Sequence, residues 1–423
     1  VRKLLNLLKD VVSLKEIFFY NEYKKINKYS YDELEELRLK KLNRLLGHFN
    51  KYSFYEKHLG EYTQLDSLDK LKLLPVVDKQ FIRSNISVIS KIRLHAKLSS
   101  TSGSTGENFR FYICKNAKAA HSAAFKYYMN QIKEKGQHGC TVGIWGGNLK
   151  KQEHGSSMID KLKLYIMNTK LFPGYLLDER LALKYIDTIM RIKPAVLYGF
   201  PTYLYKIAEA GLKHMTSCFQ PNVIITSGEQ LQQYQRDSIE KYFNKKIYNR
   251  YGSCEFSVIA HEQKDHTGLY CNPMQFILEN NEKGELLVTD LDNFATPFIR
   301  YNIGDLGNVT RKGNWYIITD LRGRANDVID TPTGKIIPSQ FWTILSRCSG
   351  DIKEFQVEQI DERHIVMKAV YDGILQEDTI NTIINNFKQN YNDGIELSVI
   401  QVNRLETTEY GKLKFVKKYV KEI

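Results

Sequence analysis

Leu34, Leu37, Leu42, Leu45, Leu46 and Phe49 recur at helical spacing with charged residues between them, which predicts an amphipathic helix over 31–50. Before it, Leu4, Leu5, Leu7, Leu8, Val11 and Val12 form a shorter apolar stripe. It reads either as a cap packed on the main body or as a peripheral membrane contact. From about residue 98 the pattern changes. Apolar runs at 141–145, 195–198, 223–226 and 246–249 have the length of buried strands, and 116–134, 178–192, 202–213 and 230–243 have the helical period. Strand and helix in alternation predict a largely parallel, helix-covered sheet. From about 269 strands and turns follow one another, at 285–289, 298–301, 308–310 and 315–319. These predict a smaller antiparallel unit. After Arg324 come a hairpin (355–360 and 364–370), a helix (376–390) and a strand (396–402), the makings of a small α+β unit. The expected fold class is α/β. A large N-terminal domain over 1–323 carries mainly parallel, helix-covered sheets and a small antiparallel subdomain, and an α+β C-terminal domain spans 324–423.

Composition narrows the class. A chain of 423 residues with 42% hydrophobic residues can bury large cores in two or three units. No uninterrupted apolar run of membrane-spanning length occurs, and charges break the apolar run at the N-terminus, which makes it a poor signal peptide. Six scattered cysteines without a CxxC pair read as reduced thiols of a cytoplasmic protein. The net charge of +13 favours anionic partners, ATP among them. The basic residues are dispersed, with no zinc-finger or RNP pattern, so nucleic acid is not the expected partner.

One stretch points to chemistry. Thr101-Ser-Gly-Ser-Thr-Gly-Glu-Asn108 holds four hydroxyls and two glycines in eight residues and then enters the strand-like Phe109-Arg-Phe-Tyr-Ile113. Small residues let a backbone turn tightly with its N–H groups facing inward, and hydroxyls add donors, so such a loop can wrap a polyphosphate. A solvated linker has the same composition. His261, His266 and Cys271, with Cys254, suggest zinc, but their spacing fits no strong ligand pattern, and structural or solvated roles are the expectation.

The Ser/Thr/Gly run resembles the phosphate loop of adenylate-forming enzymes. Further matches follow in that family's order: Tyr198-Gly-Phe-Pro-Thr-Tyr203, Thr226-Ser-Gly-Glu229, Tyr251-Gly-Ser-Cys-Glu255, Arg300-Tyr-Asn-Ile-Gly-Asp305, Gly323-Arg-Ala-Asn-Asp327 and Tyr410-Gly-Lys412. Ser53-Phe-Tyr55, Leu74-Pro75, Lys79 through Arg83 and Ile337-Pro-Ser-Gln340 are similar to the short phenylacetate–CoA ligase branch, which includes the CapK-like proteins of capsule and O-antigen gene clusters. Each motif alone is weak. Their order over most of the chain makes the resemblance specific.

The resemblance implies an AMP-forming ligase. A carboxylic acid reacts with ATP to give an acyl-adenylate and pyrophosphate, and the acyl group then passes to CoA. The alternatives are transfer of an acyl or aminoacyl group to an amine of a sugar or glycan precursor, or a non-catalytic nucleotide-binding protein. Thr101, Ser102, Gly103, Ser104, Thr105 and Gly106 would grip the β,γ-phosphates. Ser227, Gly228 and Glu229, with Tyr251 and Gly252, would form the adenine pocket. Asp305 would bind the ribose hydroxyls, which one carboxylate can accept from together. Arg324 would meet ribose or phosphate oxygens. Glu255 would be the Mg²⁺ ligand, since a carboxylate facing phosphates needs a hard cation between them. Tyr198, Gly199, Phe200 and Pro201, with Trp145, would shape the acid site. Lys412 would reach the α-phosphate from a mobile C-terminal lid hinged at Asn326. Two positions depart from the family pattern. Asn302 and Ile303 stand in the usual Tyr-Arg-Thr-Gly-Asp motif, and Asn326 stands where Asp or Lys is usual.

Overall fold

The computed structural model describes the chain apart from residues 1–13, 61, 93–95, 102–108, 134–138, 147–161, 163, 175–176, 325–327, 332–333, 337–351, 372, 392–393, 407–414 and 420–423. The N-terminal part is helical: α1 (Leu14–Tyr23), α2 (Tyr31–Phe49), α3 (Ser53–Leu59) and α4 (Lys79–Ile89). Ser30 and Glu33 form a reciprocal capping box at the start of α2, which is why the predicted helix begins where it does. Phe19 and Tyr23 of α1 are buried with Ala120, Ala124 and Tyr127 of α5 (Lys115–Ile132), so this segment packs on the body of the protein. The apolar stripe at Leu4–Val12 lies outside the described residues.

A short hairpin follows α4, with β1 (Lys97–Thr101) antiparallel to β2 (Phe109–Ile113) and Thr101 opposite Phe109. The Ser/Thr/Gly segment Ser102, Gly103, Ser104, Thr105 and Gly106 connects the two strands and lies outside the described residues.

The main sheet has eleven strands. Its strands are β3 (Thr141–Trp145), β4 (Thr169–Pro173), β5 (Val196–Gly199), β6 (Val223–Ser227), β7 (Ile247–Ser253), β8 (Ser257–Glu262), β9 (Leu269–Cys271), β10 (Phe276–Asn280), β11 (Glu285–Asp290), β12 (Tyr301–Lys312) and β13 (Trp315–Arg324). Their order is β10-β11-β12-β13-β9-β8-β7-β6-β5-β3-β4. The pairs β3·β4, β3·β5, β5·β6 and β6·β7 are parallel. The other six are antiparallel. This corrects the expected arrangement of a mainly parallel sheet with a small antiparallel subdomain. The antiparallel strands continue the same sheet and outnumber the parallel ones. An open edge at β7 would leave backbone N–H and C=O groups unpaired, and the chain closes it by turning back as β8. A further difference lies at 298–301, where only Tyr301 enters a strand.

Helices α6 (Glu179–Ile192), α7 (Pro201–Lys213) and α8 (Gln233–Phe243) cover one face of the parallel half. Val142, Ile144, Leu197, Ile224 and Ile247 point into that layer and are fully buried. The alternate residues Val196, Val223 and Ile225 point to the other face, against Met129 and Ile132 of α5. The side chains therefore obey the two-residue period of strands.

Beyond Arg324, β14 (Ile329–Thr331) pairs with β15 (Gly334–Ile336). A four-stranded mixed sheet joins β16 (Ile352–Gln359), β17 (His364–Tyr371), β18 (Glu396–Gln401) and β19 (Val416–Lys418) in the order β18-β17-β16-β19. With α9 (Glu377–Asn390) it encloses its own hydrophobic cluster, which includes Phe355, Val357, Met367, Ile383 and Phe387. Among the described residues no helix is long and apolar enough to cross a membrane. The five described cysteines are free thiols.

Candidate functional site

The parallel strands end on a cavity of about 380 Å³. Ligands of open α/β sheets bind at the carboxyl ends of parallel strands, where loops diverge and leave a crevice. Tyr198 at the end of β5, Ser227 at the end of β6 and Tyr251, Gly252 and Ser253 at the end of β7 line this one. Asp305 and Arg324 enter from the antiparallel half, where they sit opposite each other on β12 and β13. The mixed sheet is thus what brings residues 198 to 324 to one place.

The turn after β6 depends on Gly228. Its φ is +86°, and a Cβ there would stand 2.7 Å from Cε1 of Phe200. Glu229 follows, and its carboxylate accepts a hydrogen bond from the Thr202 N–H at 3.3 Å. That places a negative group at the N-terminus of α7, which has no side-chain cap of its own. Gly252 allows another close approach, since a Cβ there would meet the Ser257 carbonyl oxygen at 1.9 Å.

Besides Glu229, two carboxylates stand at the cavity wall in different settings. The Tyr251 hydroxyl donates to Asp305 Oδ2 at 2.6 Å, and Arg324 Nε lies 3.7 Å from Asp305 Oδ1. Burial, and next the negative charge of Asp305, hold the Tyr251 phenol well above its usual range, so it remains a donor at neutral pH. Glu255 is 3% exposed. It accepts a hydrogen bond from the Tyr301 hydroxyl at 3.4 Å and has no cation within ion-pair distance among the described residues. Tyr301 is itself buried against Phe256 and Phe298, which fixes its ring.

Thr101, Ser227, Gly228, Glu229, Tyr251, Gly252, Glu255, Asp305, Arg324, Trp145 and Tyr198 line this cavity together. Gly199, Phe200 and Pro201 do not line it. Phe200 is buried against Trp145, with ring centroids 4.2 Å apart, and supports the wall from behind. Pro201 opens α7 at its first turn, where its missing N–H costs nothing. Lys412 and Asn326 lie outside the described residues, as do Ser102 to Gly106.

Lys79 is a residue near the site to which its motif assigned no role. Its ammonium lies 6.0 Å from the Phe109 ring, at the foot of the Ser/Thr/Gly loop. Desolvation and next the charge of Arg324 pull its pKa down, while Glu255 and Asp305 oppose this. The signal available earlier was its place in the Lys79–Arg83 resemblance. The suggested zinc residues separate: His261 stacks on Tyr128, His266 on Tyr248, Cys271 is buried in an apolar cluster and Cys254 is exposed. Among the described residues no three His, Cys, Asp or Glu side chains are grouped to hold a metal.

A second cavity, of about 490 Å³, lies on the other face of the parallel strands, between that face and helices α1 and α5. Tyr198 and Arg250 line both cavities.

No family model matches the chain. It is 27% identical to Protein CapK of Staphylococcus aureus over 96% of this chain and 95% of that protein. A structure of 2-hydroxyisobutyryl-CoA ligase with 2-HIB-AMP in its postadenylation state superposes with a TM-score of 0.72, covering 92% of this chain and 90% of that one at 19% identity. The chain thus shares the fold of AMP-forming ligases and is similar to Protein CapK over nearly its whole length. The same ligase with 2-HIB-AMP and CoA in its thioesterification state superposes with a TM-score of 0.60, covering 93% of this chain and 91% of that one at 18% identity. Indoleacetate–lysine synthetase of Pseudomonas savastanoi is 27% identical over about a third of each chain.

Proposed function

We propose that the chain activates a carboxylic acid with ATP and passes the acyl group to the thiol of CoA. In the first step a carboxylate oxygen attacks the α-phosphorus and pyrophosphate leaves. In the second the sulfur attacks the acyl carbon and AMP leaves. The observation that carries this reading is the meeting of Ser227–Glu229, Tyr251, Glu255, Asp305 and Arg324 at one cavity at the strand ends.

Each residue then has a physical task. Asp305, oriented by the Tyr251 hydroxyl, accepts from the ribose hydroxyls. Arg324 offers a fixed cation beside it. The loop at 102–106 supplies N–H and hydroxyl donors to the β,γ-phosphates, with Lys79 as a cation at its foot. Glu255 suits a Mg²⁺ ion: it is a carboxylate at the wall with no cation within ion-pair distance among the described residues, and such ions take one or two carboxylates plus phosphate oxygens and water. When bound, the ion would neutralise charge on the phosphate oxygens. Lys412 would deliver a second cation to the α-phosphate when a C-terminal lid, residues 324–423 turning about Asn326, closes over the site. The second cavity, reached past Tyr198, takes the body of the acid.

An amine is the alternative acceptor. The likeness to indoleacetate–lysine synthetase over a third of the chain supports it, as does the full-length likeness to Protein CapK. The test is pyrophosphate release over a panel of carboxylic and amino acids, with CoA, with amines and with neither. Acid-dependent release is expected, with a thioester product when CoA is present. No release with any acid would overturn the reading, and release with amide but no thioester product would move it to the alternative.

A further inference from the structure

Arg250 is 4% exposed, yet it has no carboxylate partner among the described residues. A buried guanidinium without a counter-ion is strongly disfavoured unless something anionic completes it. Every described neighbour is neutral. The guanidinium hydrogen-bonds the Tyr198 side chain, Nη2 meets the Met129 sulfur at 3.2 Å, Cζ lies 4.5 Å from the Phe125 ring and 5.5 Å from the Tyr198 ring, and Nε has no hydrogen-bond partner. Its partner across the β7·β8 ladder is His261, which is neutral at physiological pH because burial, and next the charge of Arg250, pull its pKa down to about 3.

Phe125 and Met129 belong to α5 and line only the cavity between helices and sheet, not the one at the strand ends. The guanidinium therefore faces the cavity between helices and sheet, although Arg250 also borders the one at the strand ends. The rest of that cavity is largely apolar: Ile17, Tyr20, Val196 and Ile225. Lys126 at its edge is already paired with Glu16 at 2.8 Å. A largely apolar cavity with one buried cation that has no counter-ion among the described residues matches an acid with two carboxylates. One carboxylate faces the nucleotide, an apolar body fills the cavity, and the other carboxylate meets the planar fork of Arg250, which can bind it with two parallel hydrogen bonds.

We propose that the substrate is a dicarboxylic acid whose distal carboxylate is bound by Arg250. This rests on the reading of the chain as an acid-activating ligase, and the experiment separates the two. Succinate, glutarate, adipate and phthalate are compared with butyrate, valerate, hexanoate and benzoate. Binding without ATP is measured by calorimetry, and pyrophosphate release is measured with ATP. The parent and the Arg250→Lys and Arg250→Met variants are compared.

At least one diacid is expected to bind and react at least tenfold better than its matched monoacid. Arg250→Met should remove that preference while raising or preserving the melting temperature, since it replaces a buried unpaired charge by an apolar side chain. Arg250→Lys should retain part of the preference. If no diacid binds, if diacids and monoacids bind alike in the parent, or if Arg250→Met weakens both equally and lowers the melting temperature, Arg250 is a structural residue and the proposal fails. If diacids bind through Arg250 but no acid releases pyrophosphate, the proposal for the site stands and the ligase reading fails.

Discussion

The two faces of strands β3, β5, β6 and β7 are built from alternate residues of the same segments, yet they have opposite characters. One face sends Val142, Ile144, Leu197, Ile224 and Ile247 into a closed layer under α6, α7 and α8. The other sends Val196, Tyr198, Ile225 and Arg250 toward α1 and α5, where a cavity of about 490 Å³ remains. Both faces carry buried residues, Val196, Ile225 and Arg250 on the second among them, so burial alone does not separate them. What separates them is completeness. The first face meets neighbours that fill its space, as in any well-packed interior. The second leaves space and an unpaired polar atom, Nε of Arg250. A closed face serves stability, and an incomplete one leaves room for a ligand.

Four outcomes would sharpen or break this comparison. The largest concerns the closed face. Ile224→Ala should lower stability by about 2–5 kcal/mol, through lost transfer energy and a residual cavity. Chemical denaturation measures this, and pyrophosphate release per folded molecule should stay within about twofold. A large loss of activity at unchanged stability would show that the closed face reaches the chemistry.

Next is Lys412, the lysine of the proposed lid. Lys412→Ala should slow adenylate formation by about 10²-fold or more, as removal of one donor aimed at developing charge does elsewhere. ATP binding should be nearly intact, and the second step should proceed from supplied acyl-adenylate. Separate assays of the two half-reactions check this, and equal losses in both would reassign Lys412 to folding or general binding.

Glu255→Gln should keep the hydrogen bond from Tyr301 and hence the melting temperature, while adenylation falls by about 10²-fold because the charge proposed to hold a metal is gone. Titrating Mg²⁺ against activity gives the answer. A variant with parental Mg²⁺ dependence would remove Glu255 from the site.

The last outcome is one of pH. His261 is held neutral by burial, with a pKa of about 3 against 6.5 for an exposed ring. Between those values the unfolded chain carries a proton that the folded chain lacks. Stability should therefore be complete above about pH 6.5 and fall on acidification through the window, by about 1.4 kcal/mol per pH unit. Melting curves from pH 7 to 4.5 should show a steeper decline for the parent than for His261→Phe. Equal slopes would mean that the ring is protonated or solvated in the folded protein.

The legibility of the site divides along the same lines. The motif positions Ser227–Glu229, Tyr251, Glu255, Asp305 and Arg324 could be picked from residue type and order, and they meet at one cavity. Gly199, Phe200 and Pro201 were equally legible as a motif, but they form the support of the wall rather than its surface. Short patterns do not distinguish a lining residue from the one packed behind it. Arg250 gave no signal, because an arginine between Asn249 and Tyr251 is unremarkable until its neighbours are known to be Phe125, Met129 and Tyr198. The placement of Lys79 beside the Phe109 ring depends likewise on contacts between distant segments.

Local periodicity and capping by themselves determined most elements of this protein. The helices at 31–49, 179–192, 201–213 and 377–390 and strands β3, β5, β6 and β7 of the parallel half follow from spacing and flanking residues, interactions that act within a few positions of the chain, whereas the edge strand β4 is not among the expected strands. Only the tertiary structure decided that the antiparallel strands continue the parallel sheet through β7 and β8, since strand pairing is a long-range choice governed by which edge is left open. It also decided which buried side chains are complete and which are not. That property depends on every atom surrounding a residue and on none of its neighbours in the chain alone, and it is what separates Ile224 in a filled core from Arg250 at the wall of a cavity.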